Sequence, residues 1–281
     1  MIFKNAMSFK EKIKQVSKEK NISPQQVQQC YLIEAFLEKL AKSEYKNNFI
    51  LKGGFLIGRI VGLDERTTKD LDTTIKGIEM TAEKLTNITK SIIEEKTDES
   101  FTLSFESICE IRENDESPGF KLKLYADFER IHELVSIDVT SGDAITPREI
   151  VYKVNRLFSN DYLSLLAYPL ETILAEKIET ILTRGVASTR PRDYYDVYIL
   201  QRLGMDHLNL ITMAIALKNT MDNRKSNFSL ENFPIIIDQI KHSKFQQQLW
   251  RKYQDQYNYA EKLSFQEVMD SVMQVLMKIV Q

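Results

Sequence analysis

Cysteine is scarce in this chain of 281 residues: only Cys30 and Cys109 are present. They have neither the number nor the spacing of a metal site or a disulfide framework. Both sit among apolar residues, so both are expected to be buried thiols in a reducing cytoplasm. Histidine is nearly as rare, and His132, His207 and His242 share no ligand spacing. No Ser/His/Asp or Cys/His arrangement is visible, which leaves hydrolysis through a nucleophilic side chain without support. Excess charge is also missing: 38 Lys and Arg face 40 Asp and Glu, for a net charge of -2. A field of that size does not draw nucleic acid to the whole molecule, so any RNA contact must be local. No apolar run approaches the roughly 18 residues that span a bilayer. The start, MIFKNAMSFKEKIK, has no apolar segment ahead of a cleavage site, and the expectation is a protein that neither spans a membrane nor is exported.

What is present is an ordinary globular balance, 43% hydrophobic and 28% charged, enough for one large domain or two modest ones. Ser23-Pro24 reads as an N-cap and first helical position, followed by Val27, Tyr31, Leu32, Ala35, Phe36 and Leu40 at helical spacing. Phe49 to Leu51 is a short apolar strand ending at Gly53-Gly54, with a helix from Phe55 to Val61. Asp70 to Ile75 alternates like a half-buried strand; Thr81 to Glu94 looks helical, and Phe101 to Arg112 extended. A turn over Asn114 to Gly119 leads into a returning strand, Lys121 to Ala126, and Val135 to Val139 is a further strand. From Pro169 the pattern turns helical, with helices expected near 169–184, 191–202, 206–221, 229–241 and 264–280. The expected fold class is therefore α+β: a mixed sheet core flanked by helices, then a mostly helical C-terminal region. The division is placed at 1–165, an α/β core with N-terminal helices, and 166–281, a helical domain that completes the active site.

The chemistry concentrates in a few segments. Residues two apart on a strand share a face, so Asp70 and Asp72 project two carboxylates together and call for a cation. Mg²⁺ suits such a pair, because it is commonly held by one or two carboxylates with substrate phosphates; two solvated surface acids are the plain alternative. Upstream, Lys52-Gly53-Gly54 joins a strand to a helix, where backbone N–H groups can approach a phosphate, though a tight turn would look the same. Together the two elements describe a site for a nucleoside triphosphate. Asp138, between Ile137 and Val139, is the favoured third carboxylate, and Asp143 after Ser141-Gly142 competes with it.

Further along, Leu170, Ile173, Leu174, Ile178 and Ile181 lie on one helical arc, and Lys177 falls inside it. A buried ammonium must snorkel, pair with a carboxylate or meet a phosphate. Asp193 suits the first turn of the next helix, which opens at Pro191. Asp196 lies on that helix's apolar side and can face Lys177 or a bound nucleotide. Arg190 and Arg192 either hold phosphate or decorate the loop. The run Trp250-Arg251-Lys252-Tyr253, with Tyr257 and Tyr259, either stacks on RNA bases or packs its rings inward.

Five ordered segments carry a resemblance: Phe49 to Gly54, Arg66 to Asp72, Ile137-Asp138 with Gly142-Asp143, Leu174 to Glu179, and Arg192 to Tyr198. Over about residues 22 to 200 the chain resembles the AbiEii/AbiGii toxin family, nucleotidyltransferase-like toxins of bacterial toxin-antitoxin and phage-defence systems. The resemblance implies a polymerase-beta-like nucleotidyltransferase core. In it, Gly53 and Gly54, with Lys52 and Arg66 of the same motifs, bind the triphosphate, Asp70 and Asp72 hold Mg²⁺, with Asp138 favoured over Asp143 as a third metal ligand, and Lys177 and Asp196 take part in catalysis. It further implies NMP transfer from an NTP to an acceptor, with tRNA favoured, and a cognate antitoxin partner. The wider superfamily carries Gly-Ser where this chain has Gly53-Gly54, so backbone amides must do without a serine hydroxyl. A nucleotide-binding regulator without catalysis and a metal-dependent ribonuclease are the competing readings.

Overall fold

In a computed structural model of the protein, residues 2–111, 119–204 and 208–280 are described. Of the turn expected over Asn114 to Gly119, residues 114–118 lie outside them, as does His207. The chain divides into two compact units, Met1–Asp143 with Ile150–Ala167, and Ala144–Glu149 with Tyr168–Gln281.

The first unit is built on a seven-stranded mixed sheet. In chain order its helices are α1 (Ala6–Lys20), α2 (Pro24–Lys42), α3 (Gly53–Val61) and α4 (Ala82–Glu94). Its strands are β1 (Phe49–Lys52), β2 (Asp70–Ile75), β3 (Thr102–Ile111), β4 (Gly119–Phe128), β5 (Ile131–Ser141), β6 (Ile150–Asn155) and β7 (Tyr162–Ala167). Across the sheet they run β3-β4-β5-β2-β1-β7-β6. The α2 helix starts where Ser23 and Gln26 cap each other reciprocally, with Pro24 at the first position. It buries Val27, Leu32, Ile33, Phe36, Leu37 and Leu40 completely. Between β2 and β7, the interior strand β1 buries all four of its residues, as a strand covered on both faces must. Glu34 of α2 pairs with Arg59 of α3 at 3.2 Å and with Arg156, just past β6, at 3.4 Å. This polar tie is internal to the unit.

The mixed sheet with flanking helices is the architecture expected from the sequence. Two of its strands were not expected. The β6 strand is an edge whose residues are mostly exposed, so it lacks the apolar alternation that marks a strand, and β7 follows it as the other half of the hairpin. The expectation for Cys109 also fails: the side chain is exposed. It lies on β3, the opposite edge strand, facing outward from the core, whereas Cys30 is buried on α2. Its apolar sequence neighbours therefore did not report its surroundings.

The second unit is helical: α5 (Leu170–Arg184), α6 (Pro191–Gly204), α7 (Leu210–Asn223), α8 (Phe233–His242), α9 (Lys244–Gln256) and α10 (Phe265–Ile279). Within it α7 packs on α5, and α10 on α6. Trp250 and Tyr253 of α9 are buried, and the Trp250 indole N–H donates to the Leu263 carbonyl at 2.9 Å. These rings pack inward, which leaves Arg251 and Lys252 exposed and takes the base-stacking alternative away from Trp250 and Tyr253. No described helix is long and apolar enough to cross a membrane.

Candidate active site

The sheet register assembles a row of charge. Lys52 on β1 pairs with Asp72 on β2, Asp72 with Asp138 on β5, and Asp138 with Lys121 on β4. Directly paired residues share a face, so one side of the sheet carries the order Lys52, Asp72, Asp138, Lys121. One step along the strands, Asp70 lies beside Ser136, which pairs with Lys123. Asp70 and Asp72 are half-buried, with fully buried Leu71 between them on the other face. The strand alternation expected from the sequence is therefore what aims both carboxylates the same way.

The double glycine has a steric cause. Gly53 opens α3 with φ +63°, and a Cβ on it would collide with the Asp72 carboxylate. Only glycine both takes that backbone region freely and lets the acid sit so close. The helix starts at Gly53 rather than after Gly54, and the Gly54 N–H donates to Asp72 Oδ2 at 3.1 Å. The start of α3 thus already receives an anion from within the chain, as the dipole and open N–H groups of a helix N-terminus favour. A Cβ on Gly54 would sit 3.0 Å from Arg66 Nη2 and 3.2 Å from Thr68 Oγ1. The serine of the wider superfamily would crowd the buried Arg66 guanidinium, which donates to the Thr67 carbonyl.

Lys52 is buried; its Nζ donates to Thr140 Oγ1 at 2.7 Å and pairs with Asp143. Thr140 Oγ1 in turn donates to Asp143 Oδ2 at 2.9 Å. Asp143 is therefore engaged with Lys52, while Asp138 stands next to Asp72. Lys121 Nζ meets Asp138 Oδ1 at 2.8 Å. Burial works against the charge of Lys121, but the hydrogen bond and charge of Asp138, with the charges of Asp70 and Asp72, outweigh it and raise its pKa. Lys121 was not singled out from the sequence. The alternation of Lys121 to Leu124 puts it on a strand face, and only the strand order puts that face beside the acids.

In the second unit Lys177 points inward, as its helical position requires. Its Nζ lies 2.6 Å from Asp193 Oδ1 and 2.8 Å from Asp196 Oδ2. Arg190 Nε lies 3.0 Å from Asp193 Oδ2, and Arg192 is exposed. Burial would push the Lys177 pKa down; Asp193 and Asp196 overcome it and raise the value. Of the routes open to a buried ammonium, pairing with carboxylates is the one seen within this unit.

Among the described residues no three His, Cys, Asp or Glu side chains form a cluster able to hold a metal by themselves. The donors that are present, oxygen atoms of a strand-borne carboxylate pair beside a glycine-built helix start, match a cation that completes its shell with phosphate and water oxygens. The residues fit Mg²⁺ in that shared mode and not as a closed protein cage.

Two solved structures share this fold. A candidate nucleotidyltransferase from H. pylori aligns with a TM-score of 0.51 at 17% identity, covering 92% of this chain and 98% of its own. JHP933 from Helicobacter pylori aligns with the same score and identity, covering 92% of this chain and 94% of its own. No curated relative matches. The sequence matches the family described as "Nucleotidyl transferase AbiEii toxin, Type IV TA system" over residues 35–271. That span takes in Gly53, Gly54, the acid row, Lys121 and Lys177, and the chain belongs to the AbiEii nucleotidyl transferase toxin family.

Proposed function

We propose that this protein transfers a nucleoside monophosphate from an NTP to an RNA acceptor in a Mg²⁺-dependent reaction, and that it does so as the toxin of a toxin-antitoxin system with a cognate antitoxin. The observation that carries the reading is the placement of Asp72 against the Gly53-Gly54 start of α3, with Asp70 on the same face. A carboxylate pair and an anion-receiving helix start lie together, as a metal–triphosphate complex requires.

In this reading Asp70 and Asp72 hold Mg²⁺ together with triphosphate oxygens, and Asp138 is the third carboxylate. Mg²⁺ bound there would withdraw charge from the phosphate oxygens and lower the pKa of the acceptor hydroxyl. The first-turn amides of α3 and the Arg66 guanidinium orient the triphosphate, and Lys52 holds the charge balance beside them. The acceptor hydroxyl oxygen bonds to the α-phosphorus, its proton passes to a carboxylate of the row, and the bond to the bridging oxygen breaks to release pyrophosphate. Lys177 is assigned the neutralisation of phosphate charge and Asp196 the positioning of Lys177. These two assignments rest on the family resemblance and on the inward lysine. A tRNA 3′ end is the favoured acceptor.

The test uses each NTP labelled at the α-phosphate, incubated with the protein and total cell lysate, after which RNA and protein are separated. The expected result is label in RNA with wild type and none with Asp72→Ala. Label retained by Asp72→Ala refutes the assignment, label in protein alone refutes the RNA acceptor, and RNA cleaved without any NTP points to a nuclease instead. Expression without antitoxin is expected to stop growth, and Asp72→Ala to relieve the arrest.

A further inference from the structure

One face of the sheet brings acids and lysines together across neighbouring strands. β2 and β5 bring Asp70, Asp72 and Asp138 to one side, and Lys52 is already engaged by Asp143 and Thr140. The cation seen on Asp138 is Lys121, at 2.8 Å. It comes from β4, on the far side of β5 from the acid pair. Its side chain is 28% exposed and that of Asp138 25%. The lysine can therefore leave for solvent, whereas the Asp138 Oδ1 it meets is itself buried and needs another cation in its place. An ammonium and a divalent cation compete for the same carboxylate oxygens, and each repels the other.

Resting on the metal-binding reading above, we infer that Lys121 is a built-in counter-ion of the acid row, which disfavours loading of a bare divalent cation and makes the site selective for metal that arrives with a triphosphate. The triphosphate changes the balance because it adds negative charge at the same face. Once it is there, the ammonium has an anionic partner other than Asp138, and its repulsion of the metal is screened. Lys121 acts through Asp138 and through charge; it is a positioning residue of the site.

The experiment measures protein-bound Mn²⁺ by equilibrium dialysis, in which free Mn²⁺ and the Mn²⁺–nucleotide complex equilibrate across the membrane, with and without a non-hydrolysable NTP. It uses the full chain as wild type, Lys121→Met, Lys121→Arg and Asp72→Asn, with circular dichroism to confirm folding and Lys121→Gln in reserve should the methionine variant not fold. The expected result is that Lys121→Met binds bare Mn²⁺ roughly tenfold more tightly than wild type, the order expected for removing one charge, screened by water, from near a divalent ion. Lys121→Arg stays close to wild type, and the gain shrinks or vanishes when the NTP analogue is present. Unchanged or weaker Mn²⁺ binding by Lys121→Met, with binding still lost in Asp72→Asn, overturns this inference and leaves the metal reading standing. Full binding by Asp72→Asn, or none by wild type even with the NTP analogue, overturns the metal reading and this inference with it.

Discussion

Two clusters of opposite character carry the charged groups of interest. On the sheet of the first unit, Asp70, Asp72 and Asp138 face Lys121 across neighbouring strands, half-exposed. In the helical unit, Lys177 and Arg190 meet Asp193 and Asp196, with both carboxylates buried and the charges matched. A matched buried cluster holds structure, because losing one member strands another in a low dielectric. An accessible cluster can exchange its partners with solution, which the proposed metal site requires. The same residue types are thus held in two different ways, and burial tells the two clusters apart.

Substitution should separate the two sharply. Asp72→Ala is expected to abolish nucleotide transfer while lowering stability only by about the 1 kcal/mol of a lost helix cap, as checked by labelling and denaturant unfolding. Lys177→Met should cost about 3–5 kcal/mol of folding stability, since Asp193 and Asp196 would remain buried without their ammonium. Lys177→Arg keeps the charge and should recover much of that stability. If it also restores kcat in full, the particular shape of the lysine has no role in transfer. Because the Lys177 pKa is raised in the folded state, its contribution is complete below the ordinary lysine value and fades only as the pH climbs through the raised one. The melting temperature should therefore show no loss attributable to this group between neutral and mildly alkaline pH.

Gly53→Ala is a smaller perturbation of the sheet site. Its φ of +63° and the collision with Asp72 should together cost about 1–3 kcal/mol and weaken Mn²⁺ binding, because the carboxylate must move. Thiol labelling is the mildest probe. Cys109 should react at once in the native protein and Cys30 only on unfolding, since burial pushes the Cys30 thiol pKa up, against the lowering effect of Arg59.

Much of this architecture is local and therefore legible in the sequence. Asp70 and Asp72 share a face because of a period of two, Gly53 is explained by its turn, and Lys177 is betrayed by its place on an apolar arc. What could not be read depends on partners distant in the chain. The parallel pairing of β2 with β5 puts Asp138 beside Asp72, and the next strand over brings in Lys121. No periodicity reports strand order. The edge positions of β3 and β6 hide in the same way, which is why Cys109 was expected to be buried and the β6–β7 hairpin went unread.

The central claim is that the Asp70 and Asp72 face holds a divalent cation with a triphosphate at the start of α3. Anomalous diffraction at the manganese edge, from crystals grown with Mn²⁺ and a non-hydrolysable NTP, tests it most directly. The account predicts a manganese peak bounded by the Asp70 and Asp72 carboxylates, with nucleotide phosphates at Gly53 and Gly54. Nucleotide bound elsewhere, or those two carboxylates turned to bulk solvent with no manganese between them, would contradict it.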